Sequence, residues 1–462
     1  MFVLVALTIV ACKDKTITCT DTVEWNGKEQ IFTEKTAEWG LDEINAVGTR
    51  INAVDFDGDG WTDLFIRKNG NQDDFEENKR VSWLLRNTGS GFEDVTERSG
   101  IRSARNSDLG RPGQVVAFAD IDNDGDLDVY TGYTADGSVD ERSEILLNDG
   151  TGHFSLTEAD NIVRDDGMKI PTGASFVDVN QDGYVDLWLG QGSTTQDRLL
   201  LGAGDGSFED ASIDLGLRTK EWNSITALNN AEGHSNSWSV AACDLNNDGW
   251  SALLSASYGR APNHSWRSQK GVSFVNESVA SGYAFDQNND WSDNESARCW
   301  CMLHPTDDDC TGVPEPELIA CNSDSDAFRW NHQYDREPFR LGGNSGATVC
   351  ADINNDGWMD LLTTEIVHWD VGQSSDESEI LFNQKEDSIR FERPGNEATG
   401  LLRDHEIVDW NDGDITATVF DFDNDGWKDI YIGSTDYPGT KGLLYRQVEA
   451  ERFEAVPVDL GI

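Results

Sequence analysis

The sequence predicts an all-β chain, a β-propeller of seven blades with six or eight as alternatives, and three observations point there. A nine-residue acidic loop recurs six times along the 462 residues. Each copy is flanked by short runs in which apolar and polar residues alternate, the period of a strand. The 44 glycines mark many tight turns, and no long capped helical pattern stands out. A unit of four short strands in about sixty residues cannot cover both faces of its own sheet. Radial stacking of such sheets solves that problem.

The N-terminus, MFVLVALTIVACKDK, opens with an apolar run too short to span a bilayer. Residues 1–12 read as an export signal ending in a lipobox, IVAC, with Cys12 as the lipid-bearing residue. No Lys or Arg precedes the apolar run, which departs from the usual export signal, so plain secretion and a chance apolar end stay open. Residues 13–30 read as a linker and 31–462 as the propeller. The segment IFTEKTAEWGL (residues 31–41) looks like an outer strand without its own acidic loop, the degenerate seventh blade. FDQNNDWSDN, from Phe285, resembles a loop that has lost its glycine.

The six loops begin at Asp55, Asp120, Asp178, Asp244, Asp352 and Asp421, spaced by 65, 58, 66, 108 and 69 residues. The long interval carries a Cys-rich insertion at about residues 285–345. Beyond Cys12, the cysteines are Cys19, Cys243, Cys299, Cys301, Cys310, Cys321 and Cys350. In an exported chain they read as disulfides of undetermined pairing. A zinc site using His304 is the rival, against which the C-x-C spacing counts.

Clustered carboxylates repel unless a hard cation draws them together. Position 1 of the frame is the Asp that opens each loop. Position 3 is Asp57, Asp122, Asn180, Asn246, Asn354 or Asp423, and position 5 is Asp59, Asp124, Asp182, Asp248, Asp356 or Asp425. Position 7, offering its backbone carbonyl, is Trp61, Asp126, Tyr184, Trp250, Trp358 or Trp427. Position 9 is Asp63, Asp128, Asp186, Asp360 or Asp429, but Ala252 in the fourth loop. Glycine at position 6 permits the sharp turn, and an apolar position 2 anchors the loop in the core. An oxygen-only donor set favours Ca²⁺ over Mg²⁺ and excludes soft metals. Five to six calcium sites are expected, with the one at Asp244 weakest because it keeps only two carboxylates.

An EF-hand would need a bidentate Glu at position 12 between two helices. Here that position holds Ile66, Thr131, Leu189, Ser255, Thr363 and Ile432, between strand-like flanks. A single loop reads equally well as an acidic turn; six in register with the strands do not.

The net charge of −51 excludes nucleic acid as a partner and leaves a lipid anchor as the only route to a membrane. The acidic excess exceeds what the loops contain and describes a highly solvated surface. Seven histidines form no HExxH pair, and no G-x-S-x-G elbow occurs, so no catalytic residues are assigned. Tyr258, Arg260, Asn263 and His264 in SYGRAPNHSW, and HWDVGQSSDESE from His368, offer groups for a ligand pocket. Equally, they serve as packing between blades and as turn caps.

The motif D-x-[DN]-x-D-G-x-x-D between strands resembles the FG-GAP, or VCBS, repeats of the integrin α-chain propeller. The longer stretches LLRNTGSGFEDVTERSGI and GHSNSWSVAACDLNNDGWSALLSASYGRAPNHSW look like bacterial relatives of cartilage acidic protein. That resemblance implies calcium in the five complete loops and adhesion or binding of an extracellular protein or glycan. The expected function is therefore an exported, calcium-stabilised binding module at the bacterial cell surface. A propeller-scaffold enzyme acting on carbohydrate and an envelope assembly factor are the alternatives.

Overall fold

Strands of two to seven residues, with two longer, account for most of the regular structure among the described residues, because alternating apolar runs end at Gly-, Asn- and Asp-rich turns. A computed structural model describes Gly27 and residues 30–457, less 49, 69–79, 107–109, 111–112, 135–140, 169, 286–287, 322–329, 342–343, 371–376, 404, 406–409 and 435–439. Cys12, Cys19, the proposed export signal, residues 286–287 of the loop-like segment after Phe285 and part of the stretch after His368 lie outside the described residues.

Among the described residues, 24 strands form six successive antiparallel meanders. Unit 1 is β1 (Arg50–Val54), β2 (Asp63–Arg67), β3 (Ser82–Asn87) and β4 (Phe92–Asp94). Unit 2 is β5 (Val115–Ala119), β6 (Asp128–Gly132), β7 (Glu144–Asn148) and β8 (Phe154–Leu156). Unit 3 is β9 (Pro171–Val177), β10 (Asp186–Gln191), β11 (Arg198–Gly202) and β12 (Phe208–Asp210). Unit 4 is β13 (Ser237–Cys243), β14 (Ala252–Ser257), β15 (His264–Ser268) and β16 (Phe274–Asn276). Unit 5 is β17 (Ser345–Ala351), β18 (Asp360–His368), β19 (Glu379–Asn383) and β20 (Phe391–Glu392). Unit 6 is β21 (Asn411–Phe420), β22 (Asp429–Ser434), β23 (Leu443–Glu449) and β24 (Arg452–Ala455). The long β18 runs past its own unit, and Ile366–His368 pairs with Asn411–Gly413 of β21, which fuses units 5 and 6 into one sheet.

The first strands follow one another in space: β1 touches β5, β5 touches β9, β9 touches β13, β13 touches β17 and β17 touches β21. The core lies between units rather than inside them. Phe56, Phe65 and Leu84 of unit 1 pack on Val129, Leu146 and Phe154 of unit 2. Equivalent layers join units 2 and 3 around Tyr130 and Leu187, 3 and 4 around Trp188 and Leu253, 4 and 5 around Leu254 and Leu361, and 5 and 6 around Leu362 and Ile430. Second strands are therefore covered on both faces; every residue of β6, β10 and β14 is buried.

The described residues contain six four-stranded units where seven blades are expected. Residues 31–41 form no strand: they run as coil and turn into the helix Leu41–Ile44. Trp39 accepts a backbone bond from Phe92 of β4, and Leu41, Ile44 and Ala46 cover Ile66, Trp83 and Leu85 on the face of unit 1 turned away from unit 2.

The insertion between β16 and β17 is helical. Its main helix, Glu295–Leu303, is capped by Asn294 and stapled by Cys299–Cys321 and Cys301–Cys310. With both cysteine pairs in disulfides, the zinc alternative loses its ligands. A third bridge, Cys243–Cys350, joins the first strands of units 4 and 5. No helix among the described residues is long and apolar enough to cross a membrane.

Candidate metal centres

Each acidic loop connects the first and second strands of its unit, so all six lie on equivalent edges. Three backbone-to-carboxylate bonds fold the loop. The position-6 glycine N–H donates to the position-1 carboxylate in every copy, at 2.8–3.2 Å. The position-7 N–H donates to position 5, at 2.9–3.0 Å. In loops 1, 3, 4, 5 and 6 the position-5 N–H also donates to Oδ1 of position 1. This geometry requires left-handed backbone at position 6, where φ is 86–98°, which explains the invariant glycine.

Position 4 is left-handed as well, with Gly58 at 69° and Asn123, Gln181, Asn247, Asn355 and Asn424 at 52–59°. Its side chains do more than tolerate that conformation. Asn123 donates to the carbonyl of Gly183 at 2.8 Å, Gln181 to Gly249 at 2.7 Å, Asn247 to Gly357 at 2.9 Å and Asn355 to Gly426 at 2.8 Å. Position 4 of one loop thus holds position 6 of the next, and an amide girdle runs from loop 2 to loop 6. This role is not among those expected from the sequence, although amides at five of six copies of position 4 were the available signal.

The position-9 aspartates Asp63, Asp128, Asp186, Asp360 and Asp429 are all 0% exposed. One oxygen accepts from the position-2 N–H, and the other from an N–H at or near the end of the third strand, as in Val179 N–H and Gly202 N–H to Asp186, both 2.9 Å. Burial pushes these carboxyls up to about 6, and Asp360 to about 7, against the pull of the two N–H donors. Only a nearby positive charge would offset that cost. The apolar position-2 residues Phe56, Ile121, Val179, Leu245 and Ile353 are at most 3% exposed, each in the layer facing the next unit. Phe422 of loop 6 is half-buried, with no seventh four-stranded unit among the described residues to cover it.

Three loops bring carboxylate oxygens within 4.8 Å of one another: Asp55, Asp57 and Asp63; Asp120, Asp122 and Asp128; Asp421, Asp423 and Asp425. The donors are all oxygen, and Oδ1 of Asp120 is buried without a hydrogen-bond partner. Burial, then the charge of Asp124, raises the Asp122 carboxyl above its ordinary value. These observations fit a hard divalent cation. The fourth loop lacks the position-9 clamp: Ala252 is 1% exposed, and no carboxylate meets the Leu245 N–H.

Basic side chains were also missed. Arg86 contacts Asp57 and Asp59, Arg446 contacts Asp423 and Asp425, and Lys385 contacts Asp356 at 2.8 Å.

The SYGRAPNHSW stretch does not line a pocket as a whole. Asn263 and His264 are 3% and 1% exposed. Asn263 accepts from Ser257 N–H at 2.7 Å and donates to Ser345 Oγ at 3.0 Å, while Tyr258 packs on Trp238 with ring centres 4.1 Å apart. Arg260 donates to the carbonyl of Arg340, and Arg340 donates back to Gly259, which locks this turn to the insertion. A cleft of about 490 Å³ lies instead beside the β10–β11 turn, on the edge opposite the acidic loops, lined by Thr195, Gln196, Arg198, Glu221, Trp222 and His234 among others.

These features define a repeat protein of four-stranded antiparallel units, each carrying an acidic loop between its first two strands. Residues 55–131 and 178–255 match the FG-GAP-like repeat. Each match runs from the first residue of one acidic loop to the twelfth position of the next. No curated protein matches the sequence. Among solved structures, the chain is similar to an Agrocybe aegerita lectin described for specific recognition of non-reducing terminal N-acetylglucosamine, at 13% identity and TM-score 0.44, covering 89% of this chain and 80% of that one. It is also similar to the V. cholerae biofilm matrix protein Bap1, at 14% identity and TM-score 0.35, covering 75% and 39% respectively. At such identities and scores, neither likeness transfers a ligand to this chain.

Proposed function

We propose that this chain is an exported β-propeller, stiffened by calcium, that binds an extracellular glycan or protein and performs no chemistry on it. The observation that carries the reading is the division between two edges. One edge holds the six acidic loops; in three of them carboxylate oxygens converge, and in five the position-9 carboxyl is buried at a cost that a cation offsets. The other carries a polar cleft with Trp222, Arg198, Glu221 and His234, groups suited to stacking and hydrogen bonding with a sugar or a peptide. Three disulfides suit an oxidising, extracellular setting. Successive first-strand contacts and inter-unit cores support winding about an axis, with residues 31–46 filling the seam beside unit 1. Anchoring through Cys12 and kinship with bacterial relatives of cartilage acidic protein belong to the same reading.

The experiment is a glycan array, including glycans ending in N-acetylglucosamine, and a panel of extracellular-matrix proteins, each run with calcium and with chelator. Calcium-dependent retention without product is expected, together with a melting temperature that falls in chelator. Turnover of a bound glycan overturns the binding reading; a melting temperature indifferent to chelator overturns the calcium reading.

A further inference from the structure

The six loops share one backbone but not one electrostatic environment. In unit 1, Arg86 immediately precedes the third-strand residue Asn87 that clamps Asp63. Its Nε donates to Asp57 Oδ2 and its Nη2 to Asp59 Oδ2, the latter at 2.6 Å. In unit 6, Arg446 stands in the same register before Gln447, with Nε to Asp423 Oδ2 at 2.5 Å and Nη2 to Asp425 Oδ2 at 2.6 Å. The Oδ1 atoms of these four carboxylates accept from backbone N–H groups of the loop. Every oxygen that positions 3 and 5 could offer a cation is thus engaged, half of them by one planar guanidinium.

The equivalent third-strand positions elsewhere are Leu147, Leu201, Arg267 and Phe382. Arg267 turns away to Glu277, and loop 5 meets only the single ammonium of Lys385. Among the described residues, no basic side chain pairs with the carboxylates of loops 2 or 3. Loop 2 also holds the buried Asp120 oxygen that lacks a partner.

Resting on the calcium reading above, we infer that Arg86 and Arg446 are built-in cations that stand in for the metal at loops 1 and 6, so that calcium fills loops 2 and 3 first. Carboxylate count alone would rank loops 1, 2 and 6 as equals. The guanidinium breaks that tie, because an entering ion must first displace two charge-assisted hydrogen bonds, a penalty of about tenfold or more in affinity. The first and last units then keep their loops folded in dilute calcium, while the middle of the chain responds to it.

The test counts calcium per chain by equilibrium dialysis and follows melting with and without chelator. Wild type is compared with the Arg86→Gln, Arg446→Gln double variant. The double variant should bind two more ions at free calcium where wild type leaves those loops unfilled, and should lose melting temperature in chelator but recover it in calcium. Leu147→Arg is the reciprocal variant, which keeps the test alive if the double variant does not fold; it should lose one ion. Identical isotherms for wild type and the double variant, or an unchanged isotherm for Leu147→Arg, overturn the inference. Wild type that binds no calcium even at about 10 mM, well above the usual extracellular range, defeats the calcium reading itself, and this inference with it.

Discussion

Asp197 lies 6% exposed in the turn between β10 and β11, where it accepts from Gln191 N–H at 2.8 Å, Ser237 Oγ at 2.8 Å and Ser255 Oγ at 2.7 Å. It therefore fastens unit 3 to unit 4. Burial is the largest influence on its carboxyl and pushes it up to about 6, more than the three donors and the nearby Arg198 can offset. A carboxyl raised in the folded state binds its proton more tightly there than in the unfolded chain. Its stabilising contribution is complete below about pH 4 and is lost as pH rises through 6, a change of roughly 3 kcal/mol. Asp197→Asn keeps an acceptor for Gln191, and the serine hydroxyls can turn to meet the amide. We expect this variant to match wild type near pH 4 and to exceed it by up to roughly 3 kcal/mol at pH 7. Urea unfolding at both pH values measures the difference; an equal gap between variant and wild type at the two pH values would show that Asp197 does not titrate in this range.

The amide girdle operates between elements, and its two requirements can be separated. Asn355 must adopt φ of 58° and must reach the carbonyl of Gly426. Asn355→Gly keeps the conformation and loses the bond, a cost of about 1 kcal/mol. Asn355→Ala loses the bond and strains the backbone, costing about 1–2 kcal/mol more. The order Asn, Gly, Ala in thermal or denaturant stability is expected, and Ala equal to Gly would remove the strain argument. Gly58 has no side chain to continue the girdle, so Gly58→Asn should link loop 1 to the carbonyl of Gly125 and stabilise by about 1 kcal/mol. The loops themselves were legible in the sequence, because nine residues fix their own geometry through local bonds: glycine at position 6, the apolar residue at position 2 and the flanking strands all follow from local periodicity. What was not legible depends on register between elements distant in sequence. Arg86 reaches Asp57 only once β3 pairs with β2, and Asn263 is buried where Ser345 of β17, distant in sequence, comes against its turn. The strand expected at residues 31–41 fails for a related reason: the segment carries an outer-strand pattern, but among the described residues no companion strand pairs with it, so it packs on unit 1 as coil, turn and a short helix.

At the scale of the molecule, the joints between units are unequal, and this decides where it opens. Units 4 and 5 share the Cys243–Cys350 bridge, units 5 and 6 share a strand pairing, and the girdle runs through every joint from unit 2 to unit 6. Units 1 and 2 share an apolar layer, the Asn148 bond to the carbonyl of Phe56 at 2.8 Å and the Asn52 bond to that of Val116 at 3.3 Å, but no girdle bond. Among the described residues, no bond runs from Asn424 to Gly60 and no core layer joins unit 6 to unit 1. With a net charge of −51, repulsion across every joint grows as salt is lowered, and unit 1, which among the described residues has no girdle bond and no further unit packed on its outer face, yields first. Hydrogen exchange followed by mass spectrometry at low salt should therefore show the strands of unit 1 exchanging ahead of β10, β14 and β18, which lie between well-tied neighbours. Gly58→Asn should slow unit 1 selectively, and added salt should slow all units while preserving their order. Uniform exchange across the six units would mean that the molecule opens as one body, and that girdle and bridge add nothing to the apolar layers they accompany.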